Sequence, residues 1–243
     1  MEMKDFNLIK LEKKGKICVI RLNRPEKKNA MSEAMRSEII EALEQLKNEN
    51  KIKCVIFYGG DEIFTAGFDR DEVQAVIQGT GDLQTFTESN ELFHHTILGF
   101  PKLLIAAING YALAGGFDLA VLCHLRVGSR NAIFGHPEIG FGACPLFFPY
   151  MALVGRGKAL ELTLNTTTRD KFINAEEAFR LNIINKLVEP GDVLDEAIKM
   201  AKEILKSPAL AVTQLLLVSN ILFDRIKAFD TEIETILKTT RAG

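Results

Sequence analysis

Hydrophobic and polar residues alternate twice at the start of the chain. Residues 6–11 and 17–22 carry apolar side chains at nearly every second position, and the polar segment 13–16 between them contains Gly15. Alternation with a period of two is typical of a strand with one buried face, and two such runs around a glycine turn are typical of a hairpin. The pattern therefore predicts a β-hairpin that ends at 23–25.

The next segment has the spacing of an amphipathic helix. Apolar residues recur every three or four positions at Met35, Ile39, Leu43 and Leu46. This spacing places them on one helical face, and Ser32 just before the run is a favourable N-cap residue. We therefore predict a helix that begins after Ser32.

Short apolar runs and helical segments alternate along the following chain. Strands are predicted over 53–58, 103–108, 125–127, 133–134 and 183–188, a small-residue helix from Gly115 to Cys123, and a short helix capped by Asn174. This alternation is typical of the α/β class, with either an open or a coiled sheet. Nearly all of the chain after Pro190-Gly191 has a helical pattern, so we predict a core over 1–190 and a C-terminal helical assembly region over 191–243.

Composition and charge narrow the class of protein. The 243 residues are 47% hydrophobic and 26% charged, which excludes a disordered chain. The 30 basic and 32 acidic residues leave a net charge of −2, which argues against a dedicated nucleic-acid binder. The sequence has no apolar run long enough for a membrane span, no secretory signal pattern and no CxxC pair among its four cysteines. We expect a protein of the reducing cytoplasm.

Two glycine-containing segments follow predicted strands. Phe64–Asp69 contains an Ala-Gly pair, and Ile108–Asp118 contains Gly115-Gly116 at a strand-to-helix junction. Glycine lets the backbone turn so that N–H groups face a pocket, and a helix N-terminus favours negative charge there. The structural alternatives are a tight turn in the first segment and close helix–strand packing in the second. The second segment has neither the lysine of a P-loop nor GxGxxG spacing.

A third segment, Phe134–Gly142, places Glu138 among apolar residues and glycines. A carboxyl group in such surroundings has a raised pKa and can act as an acid or a base. The structural alternative is a glutamate that caps a helix after Pro137. The four histidines of the chain match no metal-ligand spacing, so we predict no metal site.

A fourth segment, Asn23–Ala30, reads Asn-Arg-Pro-Glu-Lys-Lys-Asn-Ala. In this order the four segments resemble the crotonase family, also called the enoyl-CoA hydratase/isomerase family, over 6–225. The resemblance implies an α/β fold with a crotonase-like ββα spiral core and a C-terminal helical trimerisation region. It implies an enzyme that binds acyl-CoA thioesters and stabilises an enolate-like intermediate. It implies no cofactor, because coenzyme A is part of the substrate, and a homotrimer or a hexamer made of two trimers.

The resemblance also assigns roles to individual residues. The backbone N–H groups of Phe68 and Gly115 would hold the thioester carbonyl as an oxyanion hole. The implied CoA or substrate contacts are Lys27, Lys28, Ala30, Ala66, Asp69, Arg70, Gly116, His136 and Leu146. A solvated surface position is the alternative for each basic residue of this set, and a structural role is the alternative for His136.

Asp118 and Glu138 stand at the positions of the two catalytic glutamates of the family's hydratases, 20 residues apart. One carboxyl would act as a base on water while the other delivers a proton to the α-carbon. Asp118 departs from the family by one methylene, so a packing or hydrogen-bonding role is its alternative. Leu146, Phe147 and Phe148 are bulkier than the family's residues there. They would narrow the acyl pocket, crowd the water site, or pack in the core.

The leading function implied is hydration of a 2-enoyl-CoA or the reverse dehydration. The runner-up is isomerisation of a 3-enoyl-CoA, for which Glu138 alone would suffice. Other enolate chemistry and a non-catalytic acyl-CoA-binding subunit are further alternatives. We expect neither a nucleic acid nor a membrane as a partner.

Overall fold

The computed structural model describes residues 4–141, 143–165 and 171–225, with side chains for all of these except 141 and 221–225. The predicted hairpin is confirmed: strands β1 (Ile9–Lys14) and β2 (Ile17–Leu22) pair antiparallel. Gly15 lies in the turn with a φ of +68°, which glycine adopts without steric cost.

The predicted helix is also confirmed, as α1 (Glu33–Asn48). The Ser32 hydroxyl accepts a hydrogen bond from the Met35 N–H at 3.3 Å, which satisfies one of the free donors at the helix start. The apolar positions of the helix are buried in the main hydrophobic cluster, as the spacing predicted.

The remaining strands are β3 (Cys54–Tyr58), β4 (Leu103–Ile108), β5 (Tyr111–Leu113), β6 (Leu125–Ser129), β7 (Ile133–Gly135), β8 (Ile173–Asn174) and β9 (Lys186–Val188). The main sheet has the order β1-β2-β3-β4-β6-β9 and is parallel from β2 onward. A second sheet has the order β5-β7-β8. The described residues therefore form an α/β fold with two sheets.

The remaining helices are α2 (Arg70–Ile77), α3 (Leu83–Leu98), α4 (Gly115–Leu122), α5 (Phe148–Val154), α6 (Arg156–Leu164), α7 (Ala175–Arg180), α8 (Val193–Ile204) and α9 (Ala209–Arg225). Both faces of the main sheet are covered. In β3, Val55 and Phe57 face the cluster that contains α1, α3 and α4, while Cys54 and Ile56 face the cluster that contains α8. Burial on both faces explains why the central strands are apolar throughout.

A short extended segment lies in a second layer after each central strand. Isolated bridges join Met31 to Phe68 and Thr65 to Ala112, and β5 pairs with β7. Each repeat therefore consists of a strand in the main sheet, an extended segment in the second layer and then a helix. This arrangement is the coiled alternative that the hydrophobic pattern left open.

One strand differs from the sequence predictions. The strand predicted over 183–188 is limited to β9, because Ile183 is buried in a turn where its N–H donates to the Ala178 carbonyl at 2.8 Å. The C-terminal region predicted from residue 191 begins with α8, which packs against β3, β4 and β6 of the main sheet. Residues 226–243 of that region lie outside the described residues. No helix among the described residues is both long and apolar enough to cross a bilayer.

Candidate active site

The four sequence segments lie side by side in the second layer, joined by backbone hydrogen bonds. The Ala66 N–H donates to the Lys28 carbonyl at 3.0 Å, which joins the segment Phe64–Asp69 to the segment Asn23–Ala30. The Thr65 N–H donates to the Tyr111 carbonyl at 3.0 Å, and the Ala114 N–H donates to the Gly135 carbonyl at 2.9 Å. Segments far apart in sequence thus converge on one region of the fold.

Gly67 is required where the segment Phe64–Asp69 meets the segment Ile108–Asp118. Its φ is +99°, and a Cβ atom there would lie 2.5 Å from the Leu113 carbonyl oxygen and 2.9 Å from the Ala114 Cβ. Only a residue without a side chain permits this approach. Gly116 is similarly tight, because a Cβ on it would lie 2.6 Å from the Thr65 side chain.

The two predicted oxyanion donors belong to these adjoining segments. Gly115 is the first residue of α4, so its N–H has no carbonyl partner within the helix. The bridge between Met31 and Phe68 uses the Gly67 carbonyl and the Asp69 N–H, which leaves the Phe68 N–H on the opposite side of its strand. Ala114, just before α4, has a φ of +49°, a strained value for alanine that is common at functional sites.

Asp118 lies one turn into α4 and is buried. Its Oδ1 lies 3.2 Å from Nε2 of His136, which directly follows β7. Burial raises the pKa of Asp118 well above its usual value, because a buried carboxylate lacks hydration. The sequence named both residues but did not predict that they are partners.

Aromatic rings hold the His136 imidazole in place. Its ring centroid lies 4.8 Å from that of Phe117 and 5.7 Å from that of Tyr150. Burial lowers the pKa of His136, and the nearby Glu138 carboxylate opposes that shift. His136 therefore favours the neutral form, in which one nitrogen donates and the other accepts a hydrogen bond.

Glu138 lies on a 3-10 helix, Pro137–Phe141, that follows His136. Its Oε2 is buried and has no hydrogen-bond partner among the described residues. Burial raises the pKa of Glu138 to about 7, His136 opposes this shift and Asp118 adds to it. A carboxyl with such a pKa can both take up and release a proton near neutral pH.

Comparison with known proteins decides the family. The family model described as "Enoyl-CoA hydratase/isomerase" matches residues 12–237. The chain belongs to the enoyl-CoA hydratase/isomerase family. This result confirms the resemblance inferred from the four segments and the crotonase-like fold.

Individual members of the enoyl-CoA hydratase/isomerase family support the assignment. The chain is 35% identical over 86% of its length to "Short-chain-enoyl-CoA hydratase" of Clostridium acetobutylicum, of which the match covers 79%. It is 36% identical over 85% of its length to "Crotonyl-CoA hydratase" of Syntrophomonas wolfei, again covering 79%. An enoyl-CoA hydratase/isomerase structure from Xanthobacter autotrophicus superposes with a TM-score of 0.88 at 26% identity, covering 98% of this chain and 89% of that one.

The residues predicted to contact CoA fall into an exposed and a buried group. Lys27 and Lys28 are exposed just before the Met31 bridge, and Arg70 is exposed at the start of α2. Lys27 lies 3.0 Å from the Asp71 carboxylate. Asp69 is buried, forms an ion pair with Arg24 and caps α2 through the Asp71 N–H.

The apolar members of the predicted contact set are buried or half-buried. Ala30 is buried and Ala66 is half-buried. Leu146 lies in the main hydrophobic cluster, and Phe147 packs against the same cluster. The core position of Leu146 matches the packing alternative that the sequence left open.

Sequence reasoning missed Arg36 and the aromatic residues around Phe68. Arg36 is fully buried on α1, and its Nη1 donates to the Met31 carbonyl at 2.8 Å. A signal was present, because Arg36 precedes Ile39 and Leu43 by three and seven residues and so shares their helical face. Among the described residues, no group of three or more His, Cys, Asp or Glu side chains could hold a metal ion.

Proposed function

We propose that the protein catalyses the reversible hydration of a short-chain 2-enoyl-CoA. The observation that carries this proposal is the buried Oε2 of Glu138 beside the Asp118–His136 pair, an oxygen without a hydrogen-bond partner among the described residues. The names of the two relatives, a short-chain-enoyl-CoA hydratase and a crotonyl-CoA hydratase, support the reaction and the substrate length.

In this proposal the N–H groups of Phe68 and Gly115 bind the thioester carbonyl oxygen. Adding water to the double bond places negative charge on that oxygen as the enolate forms. The close approach of the two segments at Gly67 supports this role, because it holds both donors on a rigid backbone before substrate binds. Both donors are main-chain groups, so the role does not depend on the phenylalanine at 68.

Glu138 moves the protons in the proposed mechanism. Its ionised carboxylate takes a proton from the water that attacks the β-carbon, and the resulting carboxylic acid delivers that proton to the α-carbon. The pKa of about 7 suits both steps. Asp118, held by His136 through Oδ1, orients the attacking water with its second oxygen.

The exposed Lys27, Lys28 and Arg70 meet the phosphates of CoA in this proposal. The reaction needs no cofactor, because CoA enters as part of the substrate. We keep a cytoplasmic location as a prediction, since the relatives include proteins named as mitochondrial and peroxisomal.

The deciding experiment incubates the purified protein with crotonyl-CoA and measures the absorbance of the conjugated thioester and the mass of the product. Loss of the conjugated-thioester absorbance, with the mass of one water gained, is the expected result. Turnover of a 3-enoyl-CoA to the 2-enoyl-CoA without a mass change, and no hydration, would replace the proposal with isomerisation. CoA binding without turnover of either substrate would favour the non-catalytic acyl-CoA-binding subunit.

Isomerisation is the second candidate, and one observation favours it. Oδ1 of Asp118 is already hydrogen-bonded to His136. Within the part of the chain that the structure describes, Glu138 is the carboxyl of this pair with a buried oxygen that has no hydrogen-bond partner. An isomerase needs one carboxyl group to carry a proton between two carbons of the substrate. The 3-enoyl-CoA arm of the assay measures this activity directly.

We also propose a homotrimer, or a hexamer made of two trimers. Helix α9 supports this proposal, because it exposes apolar side chains that a monomer would leave in water. These are Leu210 (70% exposed), Leu215 (71%), Leu217 (56%) and Val218 (54%). Analytical ultracentrifugation measures the mass, and a monomer at micromolar concentration would contradict the proposal.

A further inference from the structure

The side chain of Phe68 lies between the proposed oxyanion donors and helix α3. Its ring centroid is 6.3 Å from that of Phe86 and 6.4 Å from that of Phe93, both in edge-on contacts, and 5.9 Å from that of His94. All three neighbours belong to α3. Phe68 therefore presents its backbone to one side and fills the space toward α3 with its ring.

The same ring covers the second proposed donor residue. A Cβ atom on Gly115 would lie 2.7 Å from two carbons of the Phe68 ring. Such a distance means that the ring lies directly against the Gly115 backbone. Phe68, which supplies one proposed N–H donor, thus fills with its ring the space beside Gly115, which supplies the other.

A buried arginine fixes this ring position. The Arg36 guanidinium carbon lies 5.2 Å from the Phe68 ring centroid and 5.5 Å from that of Phe86, within cation–π range. Arg36 is itself anchored to the Met31 carbonyl and, at 3.2 Å, to the Ser89 hydroxyl. The ring is therefore held by packing on one side and by a charge on another.

We propose that the Phe68 ring limits the length of the acyl group by closing the path from the oxyanion donors toward α3. This inference rests on the proposed function, since it takes the thioester carbonyl to lie at the Phe68 and Gly115 N–H groups. The first acyl carbons then lie next to the ring, and a longer chain cannot continue toward α3 while the ring is in place.

The test compares crotonyl-CoA with 2-octenoyl-CoA in the wild type and in Phe68→Ala. The variant keeps its backbone N–H, so the proposed donor remains. We expect the ratio of kcat/KM for octenoyl-CoA to that for crotonyl-CoA to rise about tenfold or more, because single methylenes in apolar pockets already change discrimination about 10–200-fold. An unchanged ratio in a folded, active variant would overturn the proposal.

Two further variants control for stability. Phe68→Val also removes the ring but leaves more packing, and it serves if Phe68→Ala does not fold. Phe179→Ala makes the same chemical change on α7, at a side chain that is 47% exposed, and should leave the ratio unchanged. Thermal unfolding of each variant shows which proteins are folded.

Binding of saturated acyl-CoA separates this inference from the proposed function. Calorimetry with butyryl-CoA and octanoyl-CoA needs no turnover, so the length preference is measured even if the protein does not hydrate crotonyl-CoA. An increase in the affinity for octanoyl-CoA relative to butyryl-CoA in Phe68→Ala supports the inference in either case. An unchanged preference, or no acyl-CoA binding by the wild type, overturns it.

Discussion

The two buried carboxyl groups of the site are held in different ways. Asp118 lies on helix α4 and has the shorter side chain of the two. Its Oδ1 lies 3.2 Å from Nε2 of His136, within hydrogen-bond distance. Glu138 lies on the 3-10 helix Pro137–Phe141, and its side chain is one methylene longer. Its buried Oε2 has no hydrogen-bond partner among the described residues. Burial raises the pKa of both.

This difference indicates that the two carboxyl groups have different roles. A carboxyl that is already hydrogen-bonded is fixed in position, which suits it to orient another molecule. A buried carboxyl with an unpartnered oxygen is costly to the fold, and such costs persist where a function needs them. Glu138 therefore carries the proton chemistry in our proposal, and Asp118 the positioning.

The largest expected effect is that of Glu138→Gln. The amide is nearly isosteric but cannot take up a proton, so we expect kcat for crotonyl-CoA hydration to fall about 10³-fold or more. Glu189→Gln, at an exposed residue paired with Arg130, is the matched control and should keep full activity. A loss below tenfold in Glu138→Gln would remove Glu138 from the mechanism.

Asp118→Asn should separate hydration from isomerisation. We expect hydration to fall about 10²-fold, because a misplaced water reacts poorly, while any isomerisation stays largely intact because Glu138 suffices for it. Both rates are measured on the same preparation. Equal loss of both activities would contradict the division between the two carboxyls.

His136 should act through Asp118. His136→Gln keeps a side chain that can hydrogen-bond to Asp118, whereas His136→Leu leaves that buried carboxyl without this partner. We expect His136→Leu to lower hydration about tenfold and the free energy of unfolding by about 1–3 kcal/mol. His136→Gln should keep most of the hydration activity and most of the stability, measured by kcat and by urea unfolding. Equal activities of the two variants would argue against positioning of Asp118 by His136.

The last expected effect is a pH dependence of stability. Since the pKa of Glu138 rises from 4.5 to about 7 on folding, the folded protein holds a proton that the unfolded chain has released between these values. Its contribution is fully present below pH 4.5 and is lost as the pH rises to about 7, by up to about 3 kcal/mol. Over the same range kcat/KM should rise, because the proposed base becomes ionised.

Glu138→Gln supplies the control for this pH dependence. Glutamine does not titrate, so the variant should lose stability less steeply over the same pH range and should exceed the wild type in unfolding free energy at pH 8. Urea unfolding at several pH values measures both proteins. Parallel curves for the two would show that Glu138 is not the titrating group.

The predictions that succeeded rest on local patterns. The hairpin around Gly15 and the helix capped by Ser32 follow from side-chain period and turn chemistry, which act between near neighbours in sequence. Helix α2 is only eight residues long, so its apolar pattern at Val73, Val76 and Ile77 was too short to predict it, and it has no buried residue. Strand β5 is only three residues long, too short for a period to be visible.

By itself, the sequence determined the α/β class, the family and the residues that meet at the site, because the four segments carry their residue types in a recognisable order. Only the tertiary structure decided the pairing of Asp118 with His136, the burial of a Glu138 oxygen without a partner among the described residues, and the position of the Phe68 ring over Gly115. These features depend on contacts between residues far apart in sequence. Their distances and burial arise when the second-layer segments pack together.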